Sequence, residues 1–123
     1  MAKAAFVKFE VPKELAGRIY EALQATKGTG KTRKGVNETT KAVERGISKI
    51  VIMAEDVDPA EIIMHLPSLC EEKQVPYVYV PSKQDLGKSV GIEVQTSAIA
   101  VVEEGEAKRL FDDIREKIKG LKK

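Results

Sequence analysis

Apolar positions recur along this chain in two rhythms, and each rhythm predicts a kind of element. Leu15, Ile19, Ala22 and Leu23 carry the spacing of one helix face. Pro12 stands just ahead of them, where a first helical turn tolerates a residue without an N–H, so a helix is expected to about Ala25. The following KGTGKTRKG holds three glycines and four cations, the composition of a loop or a short exposed strand. Val36, Thr40, Val43 and Ile47 then mark the expected buried face of a second helix, closed by Gly46 and Ser48.

The second rhythm is the short continuous apolar run. Lys49-Ile-Val-Ile-Met-Ala54 is β-branched and reads as a central strand covered on both faces. Tyr77 to Val80, after Pro76, and Ala98 to Val102 read as two more. Between them, Asp58-Pro-Ala-Glu61 predicts a helix with an aspartate cap, and Pro67 is expected to break or kink it. Ser82 with Asp85 predicts a capped short helix ending near Val90. Leu110, Phe111, Ile114, Ile118 and Leu121 predict a C-terminal helix. Strands alternating with helices imply a three-layer α/β/α sandwich around a mixed, mostly parallel sheet.

At 123 residues the chain suits one domain, 1–123, and 42% hydrophobic with 33% charged residues is a globular rather than a disordered composition. Cys70 is the only cysteine, which excludes an internal disulfide and fits a reducing compartment. MAKAAFVKFEVPKE lacks an apolar signal core and no apolar run approaches bilayer length, so a cytoplasmic protein with no membrane partner is expected. The net charge of +2 conceals an asymmetry. Residues 1–50 hold 11 Lys/Arg against 5 Asp/Glu, 51–106 hold 3 against 11, and 107–123 hold 7 against 3. A basic half points to a polyanion such as nucleic acid, although a charge run is also a solvated face.

Catalytic chemistry is sparse. Ala25-Thr-Lys-Gly-Thr-Gly-Lys31-Thr32 approximates a phosphate-binding loop, which would make the chain a small nucleotide-binding protein using Lys31 and Thr32. Such a loop must leave a buried strand and enter a helix. Here a helix precedes it and Arg33-Lys-Gly intervenes, so nucleotide hydrolysis is the weaker reading. Glu55, Asp56 and Asp58 lack a clustered His or Cys and are better explained by a strand end and a helix cap. His65 and Cys70, five apart with Pro67 between, read as partly buried packing residues. No catalytic residue, metal site or cofactor is expected.

Two stretches resist a packing explanation. Asn37, Glu38 and Lys41 share the wet side of the second helix, behind Lys31, Arg33 and Lys34. One account is structural, an asparagine cap and an i,i+3 ion pair. The other is recognition: Asn37 donates and accepts, Lys41 donates and Glu38 accepts, a set complementary to guanine. A-form RNA hides its major-groove edges, so such a helix would need a distorted duplex. In Val90-Gly-Ile-Glu-Val94, Ile92 and Val94 fall where polar turn residues are usual. Either the core covers them, or they form an apolar platform for a splayed-out base, with Gly91 allowing close backbone approach.

RKGVNETTK (33–41), ERGISK (44–49), DPAEIIMHLP (58–67), VPYVYVPSK (75–83) and LGKSVGIEV (86–94) together resemble the kink-turn RNA-binding ribosomal proteins, archaeal branch, known as the L-seven-Ae group. The likeness spans nearly the whole chain, and G-x-N-E-x-x-K is specific to that superfamily. The resemblance implies a non-catalytic α/β/α sandwich that binds kink-turns and kink-loops, where tandem sheared G·A pairs bend a helix sharply. It implies that Asn37, Glu38 and Lys41 read the guanines of those pairs, that Arg33 and Lys34 contact the backbone, and that Gly35 allows close approach. Ile92, Glu93 and Val94 would cradle an extruded nucleotide, with Asp58, Ile62 and Lys83 nearby. The implied clients are ribosomal RNA, box C/D and H/ACA guide RNAs and RNase P RNA, with ribonucleoprotein scaffold and modification proteins as partners.

Overall fold

Ile50–Ala54, here β2, is buried along its whole length and lies inside a four-stranded sheet, as its unbroken apolar run predicts. The structure is a computed structural model that describes residues 6–121. The elements run α1 (Lys13–Ala25), β1 (Lys31–Lys34), α2 (Val36–Glu44), β2, a 3-10 turn at Ala60–Ile62, α3 (His65–Lys73), β3 (Tyr77–Val80), α4 (Lys83–Ser89), β4 (Ala98–Glu103), a second 3-10 turn at Gly105–Ala107, and α5 (Lys108–Leu121). Helix α2 packs on α3, while α1 packs on α4 and α5, giving helical layers on the two faces of the sheet. Among the described residues no helix is long and apolar enough to cross a membrane.

The sheet is mixed, in the order β1-β4-β2-β3, but it is not mostly parallel in its pairings. Among the described residues only β2 and β3 pair in parallel; β4 lies antiparallel to both β1 and β2. The reason lies in the connections. Helices α2 and α3 each carry the chain back across the sheet, so β1, β2 and β3 point the same way. After β3, short α4 and an irregular return through residues 90–97 bring the chain back to the end it had just left, and β4 must run in reverse. Alternation of elements does not reveal this, because the return has no periodicity.

Local signals divide into those that hold and those that tertiary context moves. Helix α1 starts directly after Pro12 and buries Leu15, Ile19, Ala22 and Leu23. The Ser82 side chain accepts the Asp85 N–H at 3.1 Å, the cap expected for α4. The helix expected at Asp58 begins instead at His65, after the 3-10 turn, and Asp58 caps nothing. Pro67 is therefore the third residue of α3, where the missing N–H has no intrahelical carbonyl to meet, and it breaks nothing.

Helix α2 buries Thr39, Ala42 and Val43 rather than the stripe through Thr40 and Ile47. The Thr40 hydroxyl donates to the Val36 carbonyl and meets His65 Nε2 at 2.8 Å across to α3, leaving His65 exposed rather than packed. Gly46, at φ 71, ends the helix before Ile47, which is 37% exposed. In α5 the buried face is Phe111, Ile114 and Ile118; Leu110 is exposed and Leu121 half-buried. Cys70 is fully buried. On the outer strand, the Tyr79 hydroxyl donates to the Phe6 carbonyl at 2.6 Å and accepts the Lys8 N–H at 3.1 Å, so the N-terminal arm packs on β3.

Candidate nucleic-acid interface

The candidate surface is built at one end of the sheet, where β1, β2 and β3 finish and β4 begins. Strand β1 delivers Arg33 and Lys34, with Lys34 opposite Ile99 of β4. Gly35 follows at φ 94, a conformation that glycine adopts without strain, and lets the chain turn at once into α2. Its N–H donates to the Ala98 carbonyl at 2.9 Å, which fastens the start of α2 to the start of β4. Among the described residues no side chain caps α2, so its first-turn amides and the positive end of its dipole remain available to an anion.

On this turn Asn37, Glu38 and Lys41 are exposed together. Glu38 Oε2 and Lys41 Nζ stand 3.7 Å apart, both about half accessible. The ion pair of the structural account is therefore present, and its exposed geometry contributes little stability. The same pairing holds a carboxylate acceptor and an ammonium donor side by side at the surface.

The remaining candidates reach this end through backbone bonds. Ala54 N–H donates to Ser97 O at 2.9 Å and Glu55 N–H to Val80 O at 2.8 Å, closing the tips of β2, β3 and β4 together. The Asp56 carboxylate accepts the Lys83 N–H at 2.9 Å, and the Lys83 carbonyl accepts the Thr96 N–H at 3.1 Å. One residue of α4 thus ties the turn after β2 to the loop before β4. Asp58 is exposed on that turn, and Ile62, 46% exposed, follows in the 3-10 turn.

Of the apolar pair in the 90–94 bend, Ile92 is half-buried against the core and Val94 is 69% exposed. Glu93 between them faces solvent. The core covers one and leaves the other bare, so neither of the two sequence accounts applies to both residues.

Lys31 stands apart from the end where α2 begins. It lies at the opposite end of β1, in register with Glu103, and its Nζ is 3.6 Å from that carboxylate. An open hollow lined by Lys27, Lys31, Arg33, Lys34, Val90 and Gly91 nonetheless makes the cations of β1 continuous with the base of the 90–94 bend. The phosphate-loop alternative does not fit this arrangement. Lys31 and Thr32 lie within a strand entered from a helix, not in a loop whose amides converge on an anion.

Two contributors escaped the sequence reading. The sequence explains Glu55, Asp56 and Asp58 by a strand end and a helix cap, whereas Asp56 is the tie to α4. Gly87 closely underlies the Val94 backbone. A glycine inside a predicted helix, away from any turn, is the signal that could have found it.

Residues 17–111, a span that contains every candidate named above, match the profile of the "Ribosomal protein L7Ae/L30e/S12e/Gadd45 family". The chain is also similar to a solved structure described as "Giardia lamblia 15.5kD RNA binding protein", with a TM-score of 0.83 and 31% sequence identity. That match covers 89% of this chain and 92% of the other.

Proposed function

The chain belongs to the Ribosomal protein L7Ae/L30e/S12e/Gadd45 family, and from that premise we propose that it is a non-catalytic RNA-binding protein that recognises and stabilises kink-turns and kink-loops. The observation that carries this reading is the bond from Gly35 N–H to Ala98 O together with that from Thr96 N–H to Lys83 O. They set the exposed first turn of α2 and the apolar bend before β4 at one end of one rigid sheet. In this reading Asn37, Glu38 and Lys41 address the guanines of sheared G·A pairs, each good contact discriminating by about 1–3 kcal/mol. Arg33, Lys34 and the uncapped amides of α2 take phosphates, with Lys31 a peripheral cation. Ile92, Glu93 and Val94 hold an extruded nucleotide, bordered by Asp58, Ile62 and Lys83.

The whole chain, 1–123, acts as one such domain, of the archaeal type and working in the cytoplasm. Its clients are ribosomal RNA, box C/D and H/ACA guide RNAs and RNase P RNA, where it nucleates assembly and scaffold and modification proteins then join. The test is a titration against a short kink-turn hairpin and a copy whose G·A pairs are replaced by Watson–Crick pairs. Tight binding to the first and at least tenfold weaker binding to the second is expected. Equal affinity for both would overturn the reading.

A further inference from the structure

Gly87 lies in the interior of α4, and its backbone is not in the left-handed region. Conformation therefore gives no reason for a glycine there, and glycine is a poor helix former. The reason is steric. A Cβ on Gly87 would collide with the Val94 carbonyl oxygen and would stand 3.2 Å from the Val94 carbonyl carbon and 3.3 Å from Gln95 Cα. The bend before β4 is thus laid directly on the α4 backbone. The Gly87 carbonyl also accepts the Ile92 N–H at 3.2 Å, while Thr96 N–H is tied to Lys83 one turn earlier. Gly17 offers a contrast: it is also inside a helix, yet among the described residues a Cβ there would meet nothing within 4 Å.

We propose that Gly87 is a positioning residue: by seating Val94 and Gln95 on α4 it sets the height and angle at which Ile92 and Val94 meet an unstacked base. The proposal rests on the reading of residues 92–94 given above. Any side chain at position 87 must push the Val94–Gln95 backbone away from α4, because neither the helix nor the strand that follows can give way. The α2 trio lies outside this movement, so the two halves of recognition separate.

The experiment titrates wild type, Gly87→Ala and Gly17→Ala with two kink-turn hairpins that differ only in the extruded nucleotide, which is intact in one and abasic in the other. Gly87→Ala is expected to lose about tenfold or more in affinity for the intact RNA and to bind the abasic RNA as wild type does. Gly17→Ala is expected to match wild type on both. Equal losses on the two RNAs, or no loss on either, overturn the proposal. If circular dichroism finds Gly87→Ala unfolded, Thr96→Pro takes its place. That change leaves Gly87 in place but deletes the N–H that donates to Lys83 of α4, together with the hydroxyl that donates to the Ala98 carbonyl, and it must produce the same selective loss; a loss on both RNAs overturns the proposal. A wild type indifferent to the base refutes the cradle of residues 92–94 itself, and the role of Gly87 with it. A selective wild type with an unselective variant refutes Gly87 alone.

Discussion

The Asp56 carboxylate accepts the Lys83 backbone N–H at 2.9 Å, so the turn leaving β2 caps the helix that follows β3. A hydrogen bond of this kind has a net worth of about 1 kcal/mol. Asp56→Ala should therefore lower stability by about that amount in urea denaturation, while Asp56→Asn, which keeps an acceptor, should lose less.

A second stability prediction concerns Thr39. It is fully buried on α2 and its hydroxyl has no hydrogen-bond partner among the described residues, a state that costs about 1–3 kcal/mol. Thr39→Val keeps the shape and removes the orphaned group, so it should raise the urea midpoint without changing RNA affinity. A lower midpoint would mean that the hydroxyl is satisfied in solution.

Alkaline behaviour follows from the outer strand. Burial pushes the Tyr79 hydroxyl up to about 12 from the ordinary 10.0, against the opposing effect of its bond with the Lys8 N–H. Burial, then the Glu71 carboxylate that accepts its proton, raises Tyr77 further. A raised acid is stabilised in its protonated form by the fold. Its contribution is therefore complete below pH 10 and is lost as pH climbs through the folded value, at a limiting rate of about 1.4 kcal/mol per pH unit for each tyrosine. Tyrosinate absorbance should show part of the tyrosine signal missing until pH exceeds about 12, and unfolding midpoints should fall from pH 10 upwards.

Val94 is 69% exposed and its side chain supports no core. Val94→Ser should leave thermal stability within about 0.5 kcal/mol of wild type, as surface changes do. It should weaken binding to an RNA with an extruded base by several-fold, read by fluorescence anisotropy. A variant that melts early but binds normally would assign Val94 to packing.

What the sequence makes legible is what depends on neighbours in the chain. The Ser82 cap is one case; the start of α1 after Pro12 and the buried run of β2 are others, because each is decided within a few residues. The direction of β4 depends on a return loop without periodicity, and so the sheet reads as more parallel than it is. The α2 stripe is misplaced because Thr39 and Thr40 are chemically alike and nothing along the chain says which of them is buried. Of the candidate site, the composition of the α2 turn and the misplaced apolar pair at Ile92 and Val94 stand out along the chain. Asp56 does not, since the N–H it accepts lies 27 residues away, and Gly87 shows only as a glycine inside a helix, with nothing along the chain to say which backbone lies on it.

The central claim is that the first turn of α2 reads base edges in a bent RNA rather than merely stabilising the fold. Calorimetric titration of wild type and Glu38→Ala against a kink-turn hairpin and an uninterrupted duplex of equal length tests it most directly. The variant should lose at least tenfold in affinity for the kink-turn, because guanine N–H groups are left unpaired, and should bind the duplex unchanged. A loss of the same size on both RNAs would contradict the claim and return Glu38 to its ion pair with Lys41.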